Sequence, residues 1–276
     1  MSTSRPPMLF APGATTQAAY APGRGQRLPA VDERLVAPES HAEIVDGVVH
    51  RTMGSNQPHG TRHFEATHVF AGALAEGYEG AVDMLTRADE DTDAAPDISV
   101  FPSGVDPETG GRRLEEIAFE VLDTERMSHA TRKVEKLAAR GVRRLFAIRV
   151  AERRVYEWDR AHGDWTELNP DATLTDPCFR VPVPVRAFVD RVLADDTVAA
   201  ALLAVKNRVL EKALTERQRA GAVRARREVL VTLLEARSPL TRSQRARVAD
   251  CDDEATLAAW FKRAVAGEGA AAILGA

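Results

Sequence analysis

The stretch DEDTDAAPDISVFPSG (Asp89–Gly104), continued after a turn-rich spacer by EEIAFEVLDTERMSHATRKVEKL (Glu115–Leu137), contains two short apolar runs, each interrupted by a carboxylate. A helical segment carrying Lys133 and Lys136 follows. Pro96 has no N–H to give a sheet ladder and keeps its predecessor extended, so Asp97 enters the strand Ile98–Phe101 at its rim. Glu120 falls inside the run Ile117–Leu122, where an unpaired buried charge is costly. The two-residue alternation of a strand puts Glu120 and Leu122 on one face and Phe119 and Val121 on the other, against the packed layer. Two carboxylates in such positions need a divalent cation, a lysine, or both. The three together make a phosphodiester-cleaving centre.

The lysine is the scarce part. The chain has five lysines, and two of them lie in the helix directly after the Glu120 strand. Lys133 and Lys136 are three residues apart and face broadly the same way. Beside Glu135 they also fit a solvated helix face, the usual meaning of a helical charge run.

Upstream, EIVDGVVHR (Glu43–Arg51) carries Asp46-Gly47 between apolar pairs, the signal of a type I′ hairpin, so Asp46 reads as a turn residue. Glu43 lies just before the hairpin and points either to a site at the sheet's end or to solvent. GSNQPHG (Gly54–Gly60) reads as a loop, Thr61–Glu76 as a helix, and residues 32–42 as a short helical entry. His59 and His63 are one turn apart, but with His68 they complete no zinc spacing. His59, in the loop, is kept as a group that contacts phosphate or orients a water. Residues 81–85 read as a strand and 89–93 as a solvated acidic turn.

Downstream, a helix from about His129 to Arg140 ends at Gly141 as C-cap, and RRLFAIRV, RRVYEWD and DWTEL read as three consecutive antiparallel strands. Composition shifts after Asp190. Residues 195–237 are almost all helix formers, with Val198, Leu202, Val205 and Val209 spaced as a seam for another helix and Gly221 as a break point. The expected organisation is a flexible tail over residues 1–30, a main domain over 31–190 and a helical extension over 191–276 that docks or self-associates as a homodimer.

Composition sets bounds on these readings. With 44% hydrophobic and 28% charged residues the chain is an ordinary globular protein. Its net charge of −4 confines any basic surface to local patches. Cys178 and Cys251 form no disulfide or zinc spacing, which favours a reducing compartment. No run approaches membrane-spanning length or a secretion signal, so the expected location is the cytoplasm.

The succession EIVDG, HG before a helix, PDISV, FEVLD, then a helical lysine with GV eight positions on, resembles the Uma family of restriction-endonuclease-like proteins in the PD-(D/E)XK nuclease superfamily. The likeness covers roughly residues 31–190. It implies an α/β protein of α+β type: a restriction-endonuclease-like mixed central sheet flanked by helices, here with an all-helical C-terminal extension. By position, Asp97 matches the family's aspartate, Glu120 its glutamate, Glu43 its opening acidic residue, His59 its loop histidine and Lys133 its lysine, displaced onto the next helix. The step to Gly141 fits Lys133 and not Lys136, which stays a substrate-contact candidate. Asp123, Thr124 and Glu125 depart from the family's Ser and Pro, Leu137 from its Tyr, and Phe146 from its Trp. The implied activity is a Mg²⁺- or Mn²⁺-dependent endonuclease acting on DNA, with the metal held by Asp97, Glu120 and the Val121 carbonyl. A nuclease acting on RNA and a non-cutting module that binds nucleic acid or a partner protein are the alternatives.

Overall fold

The computed structural model describes residues 29–51, 55–123 and 127–275. Residues 1–28 of the expected tail, and the departures Thr124 and Glu125, lie outside the described residues. The chain divides into two units, residues 1–205 and 206–276.

In the first unit, β1 (Ala42–Val45) and β2 (Val48–Arg51) form the expected hairpin, with positive φ at both Asp46 (53°) and Gly47 (72°). That pair of values is what a type I′ turn demands. Helix α1 (Gln57–Ala73) follows, then β3 (Tyr78–Val82), β4 (Thr86–Asp89), β5 (Thr92–Ala94), β6 (Ile98–Pro102), β7 (Ile117–Leu122), α2 (Met127–Arg140), β8 (Arg144–Arg149), β9 (Arg154–Asp159), β10 (Asp164–Glu167), β11 (Thr173–Leu174), β12 (Val183–Pro184) and α3 (Arg191–Ala204). A six-stranded sheet runs β10-β9-β8-β7-β6-β3, antiparallel except for the β7–β8 pair that α2 connects. A four-stranded sheet runs β2-β1-β5-β4. The fold is therefore a mixed α+β arrangement, as expected.

The two faces of β7 explain its position. Ile117, Phe119 and Val121 join Ala66, Val69 and Phe70 of α1 in one core, with Phe119 stacked 4.4 Å from Phe146 and set edge-on 4.8 Å from Phe70. Ala118 and Leu122 face the other way, toward Val134, Leu137 and Ala130 of α2. The strand is sealed on both faces, as the interior of a layered fold requires. Leu137 and Phe146, where the family carries Tyr and Trp, are both fully buried core residues.

Several boundaries differ from the sequence reading. Within residues 89–93 the turn is only Glu90–Asp91, between the end of β4 and the start of β5, and Asp93 is not solvated but buried, its carboxylate accepting the backbone N–H groups of Leu35 and Val36. Residues 32–42 hold only a single 3-10 turn at Pro38–Ser40. The strand expected at residues 81–85 lies three residues earlier. Phe64 of α1 is exposed, and Ala66, Val69, Phe70 and Ala73 form the packed side of the helix. On the far side of α1, Gly72 permits close approach of α3: a Cβ there would lie 2.5 Å from Val198 Cγ2.

The second unit contains α4 (Arg208–Glu235), α5 (Arg242–Ala249), α6 (Glu254–Val265) and α7 (Ala270–Leu274), with Val223, Leu230, Leu234, Val248, Leu257 and Ile273 at its core. α4 runs unbroken through Gly221. The expected seam does not continue as one helix, because α3 ends at Ala204, Asn207 caps α4, and both Val205 and Val209 are exposed. Among the described residues, no helix is long and apolar enough to cross a membrane.

Candidate active site

The local register brings the two strand carboxylates together. β6 and β7 pair antiparallel with Ile98 opposite Phe119, so the residue before Ile98 and the residue after Phe119 meet at one end of the sheet. These residues are Asp97 and Glu120. The Asp97 carboxylate accepts the N–H of Val121 at 2.5 Å, which fixes it to the rim of β7. Glu43, on β1, is buried, and its carboxylate accepts the N–H of Ala95 at 3.0 Å.

Lys133 joins these groups. Its buried ammonium lies 2.9 Å from Glu120, 3.3 Å from Glu43 and 3.1 Å from the Ala95 carbonyl. The ammonium donates to the carbonyl and is ion-paired with both carboxylates, and having no lone pair it can act only as a donor. Burial alone would push Lys133 toward the neutral amine, but Glu120, Glu43 and Asp97 outweigh it and raise its pKa. Burial pushes Glu120 well above the ordinary carboxylate range despite Lys133, and it raises Asp97 against the pull of Lys133 and the Val121 N–H.

Lys136 is not brought to this place. One turn further along α2, it lies 2.7 Å from Asp46, 2.8 Å from Asp89 and 3.5 Å from Asp91, tying the β1–β2 turn to the β4–β5 turn. Its partly exposed ammonium is stabilised there and its pKa raised, since Asp46 and Asp89 outweigh burial.

Glu43, His59, Asp97, Glu120 and Lys133 all line one open cavity of about 1390 Å³. Its walls add Arg34, Arg51 and Arg132, together with His50 and His129, whose rings meet edge to face at 5.0 Å. Asp83 and Asp123 line it too, so arginines and carboxylates share the cavity, an arrangement in which cations can hold the backbone of a phosphodiester while one phosphate is attacked.

His59 is placed differently from the sequence reading. It belongs to the first turn of α1 rather than to a loop, because Asn56 caps the helix by accepting the His59 N–H at 3.0 Å. The Asn56 amide also donates to Asp123 at 2.8 Å, linking the helix start to the end of β7. Asn56 is the residue the sequence reading missed. Its signal was an Asn two positions before a Pro, a helix-start pattern. Arg34 and Arg132 carried no signal separable from other surface arginines.

The donor set fits a divalent cation. At this site one ammonium faces three carboxylates, an excess of two negative charges if all are ionised. Glu120 Oε1 is buried yet accepts no hydrogen bond among the described residues. An orphaned carboxylate oxygen beside a second carboxylate is what a hard metal ion satisfies.

The family model described as "Uma2: Putative restriction endonuclease" matches residues 27–180. The chain belongs to this family. No curated protein matches it. Among solved structures it is similar to one titled a putative nuclease belonging to DUF820 from Anabaena variabilis, at 16% identity and a TM-score of 0.45, over 55% of this chain and 90% of that one.

Proposed function

We propose that this chain is a metal-dependent endonuclease that hydrolyses phosphodiester bonds of DNA. The observation that carries the reading is Lys133 held between Glu120 and Glu43 beside Asp97, in a cavity that arginines and histidines also line. Asp97, Glu120 and the Val121 carbonyl would hold Mg²⁺ or Mn²⁺. When bound, such an ion polarises a phosphoryl oxygen and lowers the pKa of a water.

The chain's own groups do the remainder. Lys133, fixed as a donor, orients an attacking water or a phosphoryl oxygen through an N–H released from Glu43 or Glu120, and its charge offsets that which develops on the phosphorus oxygens. Glu43 anchors that lysine and supplies a further carboxylate at the site. The Asp97–Val121 hydrogen bond keeps the strand ends rigid, so that these groups stay aligned. Arg34, Arg51 and Arg132 contact the flanking backbone, with an affinity that falls as salt rises.

Supercoiled plasmid incubated with the purified chain in Mg²⁺, Mn²⁺ or EDTA, with Glu120→Ala run in parallel, tests the reading. Metal-dependent nicking or linearisation that disappears in the variant is expected. Cutting that persists in EDTA, or in Glu120→Ala, overturns it.

A further inference from the structure

We infer that His59 is itself a ligand of the metal ion bound at Asp97, and that this imidazole makes the site select a Mn²⁺-type transition ion over Mg²⁺. The inference rests on the proposed metal-dependent reading and deepens it. His59, His63 and Asp97 bring three possible ligand atoms within 4.8 Å of one another. The two histidines do not have the same role. His63 Nε2 lies 2.7 Å from the Asp97 backbone carbonyl, an oxygen that only accepts, so this nitrogen carries the proton and has no lone pair for a metal. His63 therefore positions Asp97.

His59 has no such engagement. Its Nε2 lies 3.8 Å from Asp97 Oδ1, and among the described residues its ring makes no hydrogen bond, only an edge-to-face contact with His63 at 6.1 Å. A separation of 3.8 Å is too long for a hydrogen bond. It does fit two ligands of one ion, since bonds of about 2.1–2.2 Å place the ligand atoms of a single cation about 3 to 4.4 Å apart. Asp97 Oδ2 is engaged by the Val121 N–H, which leaves Oδ1 as the oxygen turned toward His59. The ring is held by the first turn of α1, whose start Asn56 fixes to Asp123.

The second observation comes from the other side of the same cavity. Glu120 is fully buried, lines the cavity with Asp97 and His59, and has Oε1 without a hydrogen-bond donor. His59 and Asp97 offer one imidazole nitrogen and one carboxylate, a mixed pair, and Glu120 is the further carboxylate lining the same cavity. Mg²⁺ takes oxygen ligands and retains its waters, whereas imidazole suits transition ions.

The test reads bound Mn²⁺ directly, without activity. The full chain is titrated with Mn²⁺ alone and followed by electron paramagnetic resonance, with pulsed detection of ¹⁴N coupling and with Mg²⁺ as competitor. Wild type, His59→Gln, His63→Gln and Asp97→Asn are compared after circular dichroism confirms that each is folded. The expected result is Mn²⁺ binding that Asp97→Asn weakens severely, ¹⁴N coupling present in wild type and His63→Gln, and its loss in His59→Gln. Wild type should prefer Mn²⁺ over Mg²⁺ by about tenfold or more, a margin carried by the imidazole and largely lost in His59→Gln. Mn²⁺ bound at Asp97 without ¹⁴N coupling in wild type, or with coupling that survives His59→Gln, overturns the ligand assignment while leaving the metal-dependent reading standing. Absence of any Mn²⁺ or Mg²⁺ bound at Asp97 in wild type overturns both.

Discussion

Lys133 Nζ and Glu120 Oε2 are 2.9 Å apart, both side chains buried, with the lysine on the helix that directly follows the glutamate's strand. The pair is locally stabilising and globally expensive. Burial raises the pKa of Glu120 even with the ammonium beside it, and the like charges of Asp97 and Glu43 add to the rise.

For Glu120 the sign of the pH effect follows from that shift. A carboxyl with a raised folded-state pKa costs stability as pH rises from its unfolded pKa, about 4.3, through the folded value. Without metal, Glu120→Gln is therefore expected to be more stable than wild type at pH 8, with the difference closing as the solution is acidified toward pH 4. Urea unfolding of both proteins in EDTA across that range checks it. The same variant should lose plasmid cleavage by about a hundredfold or more, since it removes charge at the reacting centre.

Lys133 and Lys136 should separate cleanly. Removing Lys133 leaves Glu120 and Glu43 buried beside each other with no cation, so Lys133→Ala should cost ~3–5 kcal/mol, the usual penalty for breaking a buried pair. Cleavage should be abolished. Lys133→Met with Glu120→Gln should recover most of that stability and none of the activity. Lys136 contacts aspartates that are 37–55% exposed on their side chains, so Lys136→Ala should cost ~1 kcal/mol or less. It should leave cleavage within a few-fold of wild type. Denaturant titration and the plasmid assay on the same preparations measure both effects.

How the candidate residues come together was legible in the sequence for local reasons. Asp-Gly fixed the β1–β2 hairpin, Pro96 marked the edge of β6, and the alternation of Ile117–Leu122 oriented Glu120 toward α2. What stayed hidden depended on partners distant in the chain. Asp93 read as a solvated acid because its compensation comes from the backbone of Leu35 and Val36, 58 and 57 residues away. Lys136 read as a second site lysine because nothing local reveals that three aspartates from two turns surround it. The start of α1 was placed too late because Pro58 and Gly60 outweighed the cap at Asn56, although Pro is well tolerated in a first helical turn. Gly221 costs a helix only about 1 kcal/mol, which the remainder of α4 absorbs.

Gly72 is expected to be intolerant of a methyl group. A Cβ there meets both Val198 methyls, at 2.5 and 2.8 Å, and a β-branched side chain on a helix has little rotamer freedom to move away. Gly72→Ala should destabilise the first unit by about 1–3 kcal/mol, the range for overpacking. Val198→Ala in the same chain should restore most of the loss. A thermal-unfolding double-mutant cycle gives the coupling, and additive effects would show that α1 and α3 do not pack as described.

Asp176 should set part of the acid limit of stability. Its side chain is almost fully buried, and its carboxylate takes two hydrogen bonds from Arg143, at 2.8 and 2.9 Å, one from Arg144 at 3.2 Å and the Cys178 N–H at 3.0 Å. Burial pushes its pKa up, but these donors win and hold it far below the ordinary carboxylate range. A carboxylate with a depressed folded-state pKa contributes stability in full above its unfolded pKa of about 3.9, and loses it as pH falls toward the folded value. Asp176→Asn should therefore be less stable than wild type at pH 7, with the gap narrowing below about pH 4. The Cys178 thiol, which burial and Asp176 push up to about 12, stays neutral throughout this range and adds no slope of its own. Urea midpoints of the two proteins at half-unit steps from pH 7 to pH 3 measure the difference. A gap that is constant or that widens with acid would mean that Asp176 contributes through packing rather than through its charge.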